Sequence, residues 1–256
     1  MPEWALFLTF AIGVTALAVG GWWMVERTFP QWRTEPSSGV VVGIAQTVMT
    51  LFALVLAFAV VSLDGSYTNA SDNVRSEANS LTQIIGDLSV FPAAARKRVA
   101  EAAGAYVQEV RQREFPALRV GKTDAQSNVL LDRLFATVQA LAPTTDAQRG
   151  FYSAAVSSLS ELVSQRRDRL AAADSALPVA FWTLILLTAV TSLAITSLIK
   201  THSRGLEIVL VSAIAIVIGV GLLTTLLLEY PFSGSIAVSS SPFGEGALAH
   251  LPGVRP

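Results

Sequence analysis

The sequence predicts an all-α integral membrane protein, with four transmembrane helices in two hairpins and a helical extramembrane domain between them. Three observations carry this. Four stretches lack Asp, Glu, Lys and Arg: Trp4 to Val25, Gly39 to Leu63, Leu177 to Ile199 and Ile208 to Leu228. Each reaches the roughly 20 residues that a helix needs to cross a hydrocarbon core, and lipid offers no partner to an unpaired backbone group, so the spans are helices. The connections inside each pair are short. The polar middle, Asp64 to Ala176, carries apolar residues at helical spacing with no sustained period-two alternation. The chain divides into a first transmembrane hairpin (1–63), a helical bundle (64–176), a second hairpin (177–229) and a C-terminal tail (230–256). That tail, rich in Ser and Pro around Ser239-Ser240-Ser241-Pro242, is expected to be mostly flexible.

Composition agrees. The chain is 52% hydrophobic with a net charge of −1, too apolar for a soluble domain of this length. It offers no basic surface for nucleic acid, so its expected partners are the lipid bilayer and other protein chains. The absence of cysteine removes disulfides and thiolate metal sites.

The first span contains Ala16-Leu17-Ala18, which looks like a signal cleavage site. The preceding Met1-Pro2-Glu3 lacks the usual basic residue, and the apolar run continues to Trp22 and Trp23. A retained helix with an interfacial tryptophan pair is the expectation. The loop from Glu26 to Ser38, with Pro30 and Pro36, closes the first hairpin. Lys200-Thr201-His202-Ser203-Arg204-Gly205 closes the second. Both termini and the middle domain then share one side of the membrane. The short loops hold Arg27, Arg33, Lys200 and Arg204. The domain side holds Arg75, Arg166, Arg167 and Arg169, a near tie. Only Glu3 precedes the first span and Arg27 follows it, which leans the domain to the extracytoplasmic side.

In the middle domain, a helix from Asn69 to Leu88 precedes one opened by Pro92, with Val99, Ala103, Tyr106 and Val110 on one stripe. Phe115-Pro116 and Val120-Gly121 end it. Thr123 or Asp124 caps a third helix carrying Leu131, Leu134, Val138 and Leu141. After the turn at Pro143-Thr144-Thr145-Asp146, a fourth carries Val156, Leu159, Val163, Arg166, Leu170, Ala173 and Leu177. It runs toward Pro178, which either begins the third span or kinks a continuous helix.

The second span and the helix after it share one register. Alternate steps of four and three from Gly39 give Gly43, Gln46, Thr50, Ala53, Ala57, Val60 and Asp64, then Tyr67, Ser71, Val74, Ala78, Leu81, Ile85 and Leu88. Such spacing keeps one helix face toward one axis, over about 50 residues or roughly 75 Å. In the membrane this face is small or polar, and in the domain it is apolar. Small residues let helices approach closely, as in Gly39-xxx-Gly43. The same face would also suit a water-filled path around an oligomer axis. The opposite face, Val41, Ile44, Val48, Leu51, Val55 and Phe58, suits lipid or neighbouring helices. In the third span Thr188, Thr191, Ser192, Thr196 and Ser197 can bond their own backbone or a neighbour.

No ionisable side chain lies deep in a span, which disfavours ion-coupled transport. Glu207 and Glu229 bracket the fourth span at its interfaces. There is no phosphate-binding loop, and His202 and His250 are far from any metal-ligand cluster. Asp72, Glu77, Glu109 and Glu114 are scattered carboxylates, and a solvated surface is the default reading for most of them. The sequence calls for neither an enzyme nor a cofactor.

Three short stretches bear on identity: Glu77-Ala78-Asn79; Tyr106 followed by Glu114-Phe115-Pro116; and Pro231-Phe232-Ser233-Gly234 followed by Ile236-Ala237-Val238. In this order, around two hairpins and a helical middle, they resemble the bacterial bestrophin-like family, over nearly the whole chain. Phe115 stands where that family is expected to have Trp. The resemblance implies a multi-pass protein of the bacterial inner membrane. It invites comparison with bestrophins, pentameric anion channels whose second membrane helix lines the pore. Bestrophin pores narrow at bulky apolar side chains. Here the gate lies elsewhere, or Leu51, Val55 and Phe58 face the axis. A calcium clasp of clustered acids is not evident.

Two functions remain open. One is a homo-oligomeric channel with Gly39, Gly43, Gln46, Thr50, Ala53, Ala57 and Asp64 nearest the axis and the domain forming a vestibule. The other is a non-conducting envelope protein whose domain binds an unidentified protein partner or senses membrane state.

Overall fold

The structure, a computed structural model, describes residues 3–32, 39–174, 177–201, 203–234 and 236–254. Arg33, Pro36 and His202 lie outside the described residues. The order is α1 (Glu3–Thr28), α2 (Gly39–Asp87), α3 (Ala93–Glu109), a π-helical turn (Val110–Glu114), α4 (Phe115–Leu118), α5 (Ala125–Gln139), α6 (Asp146–Ala173), α7 (Val179–Leu198) and α8 (Arg204–Glu229). Short 3-10 turns punctuate the chain, and no β-sheet forms among the described residues. Four helices are long and apolar enough to cross a membrane: α1, α2, α7 and α8. The protein is an all-α membrane protein.

The chain forms two compact units, Met1–Asp64 with Ala176–Glu229, and Gly65–Ser175 with Tyr230–Pro256. The single helix α2, 49 residues long, contributes to both.

In the membrane unit, α1 and α8 pack through four-residue steps. Ala18 and Trp22 of α1 cluster with Val211 and Ala215 of α8, and Val14 joins them. A Cβ on Gly219 would stand 3.2 Å from Val14 Cβ, and one on Gly221 would meet Leu56 at 2.4 Å. Missing side chains thus let α8 approach α1 on one face and α2 on another, as close packing in lipid requires. A second cluster joins Phe52 and Ala59 of α2 to Ile185 and Ala189 of α7 and Ile218 of α8. The α7 hydroxyls serve their own helix. Thr188, Thr191, Ser192, Thr196 and Ser197 each donate to the carbonyl four residues back, at 2.7–2.8 Å.

Both ends of α8 carry a buried glutamate. Glu207 accepts from the Trp22 indole at 3.3 Å and the Thr201 amide at 2.7 Å. Glu229 accepts from the Trp182 indole at 2.8 Å and the Leu177 amide at 3.1 Å. Each carboxylate satisfies a backbone donor beside an end of α7 and an indole on a neighbouring helix. Burying a charge is expensive unless such donors meet it.

In the second unit, one core gathers Ala70, Val74, Ala78, Leu81, Ile84 and Leu88 of α2 with apolar faces of α3, α5 and α6. The cap of α5 is Asp124, whose carboxylate accepts from the amides of Gln126 and Ser127, at 3.4 and 3.2 Å. The cap of α6 is Thr145, which accepts from the Gln148 amide at 3.2 Å. These satisfy helix-start amides that have no partner inside the helix. α6 stops at Ala173, and Pro178 caps α7, which begins at Val179. The stripe expected to continue through Leu177 therefore ends early. Leu177 packs instead with the cluster of Phe52 and Ile185.

Two expectations are corrected. The C-terminal tail is not a loose appendage: Val238, Phe243, Leu248 and Leu251 are buried in the core of the second unit. Each buried side chain of this size contributes roughly 1.5–3 kcal/mol. The Pro252 carbonyl sits against Gly104, where a Cβ would meet it at 2.2 Å. Glu77 and Glu114 are also not solvated. Both are fully buried.

Candidate functional site

Two sets of residues stand out, one on the membrane part of α2 and one in the core of the second unit. On α2 the chain's own helices take up Ala45, Phe52, Ala59 and Leu63, which are buried, with Val48, Val55 and Leu56 half-buried. Gly39, Gly43, Gln46, Thr50, Ala53, Ala57 and Asp64 are all exposed. The small, polar face is therefore not used to pack the chain against itself. Thr47 and Thr50 turn their hydroxyls back onto Gly43 and Gln46 carbonyls, at 2.9 and 2.8 Å. That quenches their polarity without a neighbouring helix. On the bulky face, Val55 joins the α7 and α8 cluster, and Phe58 stacks on Phe181 of α7 with ring centroids 6.0 Å apart.

The seam does not keep one environment. Val74, Ala78, Leu81 and Leu88, on the same face further along, are buried in the core of the second unit. One helical stripe is thus uncovered in its membrane part and internal to the chain in its later part. Exposed positions there include Asp72, Arg75, Asn79 and Thr82.

The second set begins with the motif residues. Glu77 lies on α2 one step from the core stripe. Tyr106, on α3, donates to Glu77 Oε1 at 2.6 Å. Arg169, on α6, donates from Nε to Glu77 Oε2 at 2.6 Å and from Nη2 to Oε1 at 3.3 Å. Its Nη2 also lies 3.4 Å from Glu114 Oε2. Arg166, one turn earlier, donates to Glu114 Oε1 at 3.0 Å and to Asn128 Oδ1 at 2.6 Å. Two carboxylates and two guanidiniums close a neutral cluster inside the core, with Glu77, Tyr106, Glu114 and Arg169 fully buried.

Pro116 explains how Glu114 gets there. It has no N–H to offer the carbonyl one turn back, and its ring crowds that carbonyl. The helix widens into the π turn Val110–Glu114, with the Phe115 amide donating to the Val110 carbonyl, five residues back. Glu114 and Phe115 are both buried as a result. The Phe115 ring then faces the Arg169 guanidinium at 5.2 Å. Phe232 and Phe243 meet Phe115 edge-on, at centroid distances of 5.9 and 6.2 Å. An aromatic face supplies attraction to a desolvated cation. Phe232 is held by the turn at Pro231, where the Val238 amide donates to the Pro231 carbonyl at 2.7 Å and Gly234 takes a φ of 79°.

The electrostatics follow from burial. Desolvation, reinforced by the Glu77 charge, pushes the Tyr106 hydroxyl well above its ordinary range. Burial works against the charge of Arg169, but Glu77 and Glu114 outweigh it and hold the guanidinium charged. At the rim, the small burial of Asp124 works against ionisation. Hydrogen bonds from Ser127 and the Gln126 amide outweigh it and hold its carboxyl below the usual range.

The structure thus brings together Glu77, Tyr106, Glu114 and Phe232, with Pro116 and Pro231 shaping their backbone. It leaves Asn79 outside. Arg166 and Arg169 were missed as partners, although Arg166 stands on the apolar stripe of α6, where a charge demands a buried counter-ion. Nothing in the cluster resembles a nucleophile with a base, and no group of metal-ligand side chains occurs among the described residues.

Comparison with known proteins places this architecture. A bacterial bestrophin homologue from Klebsiella pneumoniae, solved as a point variant, superposes with a TM-score of 0.65 at 14% identity, covering 92% of each chain. A second solved structure, a point variant of a membrane protein, gives 0.66 at 13% identity, covering 94% of each chain. At these identities the likeness speaks for the fold. A comparison with curated proteins finds no match. The model of the Bestrophin-like domain matches residues 12–243, which include most of the first span, the other three and the buried cluster. With that match over most of its length, this chain belongs to the Bestrophin-like family of membrane proteins.

Proposed function

We propose that the protein is a homo-oligomeric membrane channel in which the membrane part of α2 stands nearest the central axis. The observation that carries this is the uncovered small and polar face of α2. Gly39, Gly43, Gln46, Thr50, Ala53 and Ala57 are exposed, while the face of Ala45, Phe52, Ala59 and Leu63 is buried, with Phe52 and Ala59 packed on α7 and α8. An amide such as Gln46 is costly to present to hydrocarbon, and a water-filled path relieves that cost. Membership of the Bestrophin-like family supports the same reading. Ile44, Leu51 and Phe58 of the bulky face are exposed as well, but their side chains suit lipid, and the small face is the better candidate for the lining because it carries Gln46 and Thr50.

The proposed orientation keeps the short loops in the cytoplasm of a bacterial cell. The basic residues near the membrane nearly tie, and the lean comes from the first span, which only Glu3 precedes and Arg27 follows. That asymmetry supports loops inside.

The experiment is oligomeric mass in lipid nanodiscs followed by ion flux in vesicles. A ring of four or more subunits that conducts, with flux reduced in Gln46→Leu and Thr50→Leu while the ring persists, is the expected outcome. A monomer or dimer, or unchanged flux in assembled variants, overturns the lining. It would turn attention to a non-conducting, partner-binding role.

A further inference from the structure

Two clefts in the membrane unit adjoin each other and differ in chemistry. The first, about 570 Å³, is lined by Trp23, Glu26, Arg27, Lys200, Arg204 and Glu207 among others. Its carboxylates are engaged: Glu26 pairs with Arg204 at 3.2 Å, and Glu207 accepts from the Trp22 indole and the Thr201 amide. Its cations are more available. Arg27 lies over the Trp23 ring at 5.3 Å with its side chain exposed, and Lys200 is exposed. Arg204 is 81% exposed, so its pair with Glu26 is a weak, solvent-screened one.

The second cleft, about 510 Å³, is an apolar groove between α2 and α8. Val42, Ala45, Met49 and Ala53 line one wall and Leu210 and Ile214 the other, with Gln46 and Thr50 also bordering it. Thr201 and Glu207 line both clefts. A cationic recess therefore lies beside a hydrocarbon-lined groove, with Thr201 and Glu207 between them, at the short-loop end of the spans.

We propose that this paired site binds an anionic phospholipid, with its phosphate against Arg27, Lys200 and Arg204 and one acyl chain along the α2–α8 groove. A small soluble anion would leave the groove unfilled, and an alkyl chain alone would leave the cations unmet. A phospholipid with a net negative headgroup answers both. The site needs neither a pore nor an oligomer, but its groove borders Gln46, Thr50 and Ala53, so an acyl chain seated there and a water path along the same residues exclude each other.

Native mass spectrometry of the purified full-length chain tests this, using phosphatidylglycerol and phosphatidylcholine with identical acyl chains. Phosphatidylglycerol should be retained in preference to phosphatidylcholine. Each of Arg27→Gln and Lys200→Gln should lower that retention roughly fivefold, the size expected for one basic residue near an anionic headgroup. Leu210→Trp, which narrows the groove, should lower it with the cations intact. Circular dichroism and elution volume check folding, and if Arg27→Gln misfolds, Lys200→Gln alone carries the headgroup arm. Equal retention of the two lipids, or unchanged retention in Lys200→Gln, overturns the proposal. So does displacement of the lipid by millimolar glycerol phosphate, because it would show a site for free phosphate.

Discussion

Arg169 grips Glu77 with two N–H groups, at 2.6 and 3.3 Å, and both side chains are fully buried. The pair joins α6 to α2 across 92 positions of sequence, and Tyr106 of α3 completes it from a third helix. A helix held only by apolar contacts can rotate by small amounts at little cost. A buried charge with directional partners tolerates much less, so Glu77 fixes the rotational setting of the later part of α2.

Removing one partner should therefore cost far more than the pair is worth. Arg169→Met strands Glu77 and leaves Glu114 with Arg166 alone, and such breakage typically costs about 3–5 kcal/mol. Thermal unfolding in detergent should show a large drop in Tm for Arg169→Met. The double variant Glu77→Met with Arg169→Met should recover part of it. A Tm for Arg169→Met within a degree of wild type would show that the cluster does not hold the fold.

Tyr106 gives the stability of the fold an alkaline limit. Its folded-state pKa lies above the ordinary value of 10.0, so the folded state keeps a proton that the unfolded chain loses first. That contribution is fully present below about pH 10 and is lost as pH rises toward the folded value. Tyr106→Phe should cost roughly 1.5–3 kcal/mol at neutral pH, the range for a hydrogen bond to a charged group. It should also flatten the fall in stability above pH 10. Parallel alkaline slopes for the two proteins would contradict the assignment.

Asp124 acts at the other end of the pH scale. Its folded pKa is below 3.8, so its contribution is present above the unfolded value and is lost as pH falls through the folded one. Asp124→Ala removes the cap of α5 and should cost about 1 kcal/mol at pH 7. The difference from wild type should shrink below pH 4. Denaturation at pH 7 and pH 3 measures both.

The tail offers a test of packing. A methyl group at position 104 would meet the Pro252 carbonyl at 2.2 Å, and backbone yields less readily than a side-chain tip. Gly104→Ala should destabilise by about 1–3 kcal/mol and expose the segment after Ser239 to protease. Limited proteolysis followed by intact-mass analysis reads this directly. An uncut tail in the variant would mean that the backbone accommodates the methyl.

Much of the architecture could be read from the chain. The charge-free runs mark the spans, and Asp124 and the turn at Thr145 show where α5 and α6 start. The tail escaped because Val238, Phe243, Leu248 and Leu251 follow neither the helical period nor alternation, and Ser and Pro between them look like linker. The buried cluster escaped for a different reason. Short stretches around Glu77, Tyr106 and Glu114 pointed to a family. Yet pairing Glu77 with Arg169 requires contact between distant helices, which periodicity does not encode. The α2 seam could not say what covers its later part, because one apolar stripe serves equally well for an oligomer axis and for the chain's own core.

The glutamates that close both ends of α8 also give the protein a fixed length. From Glu207 to Glu229 a helix rises about 33 Å, close to the roughly 30 Å of a bilayer's hydrocarbon. Each carboxylate is tied to an indole and a backbone amide, so neither end can slide inward without breaking those bonds. In a thinner bilayer the helices must tilt, and in a thicker one the lipid must thin around them. The protein thus meets its membrane as a strut of set height, and bilayer thickness becomes a mechanical input to it.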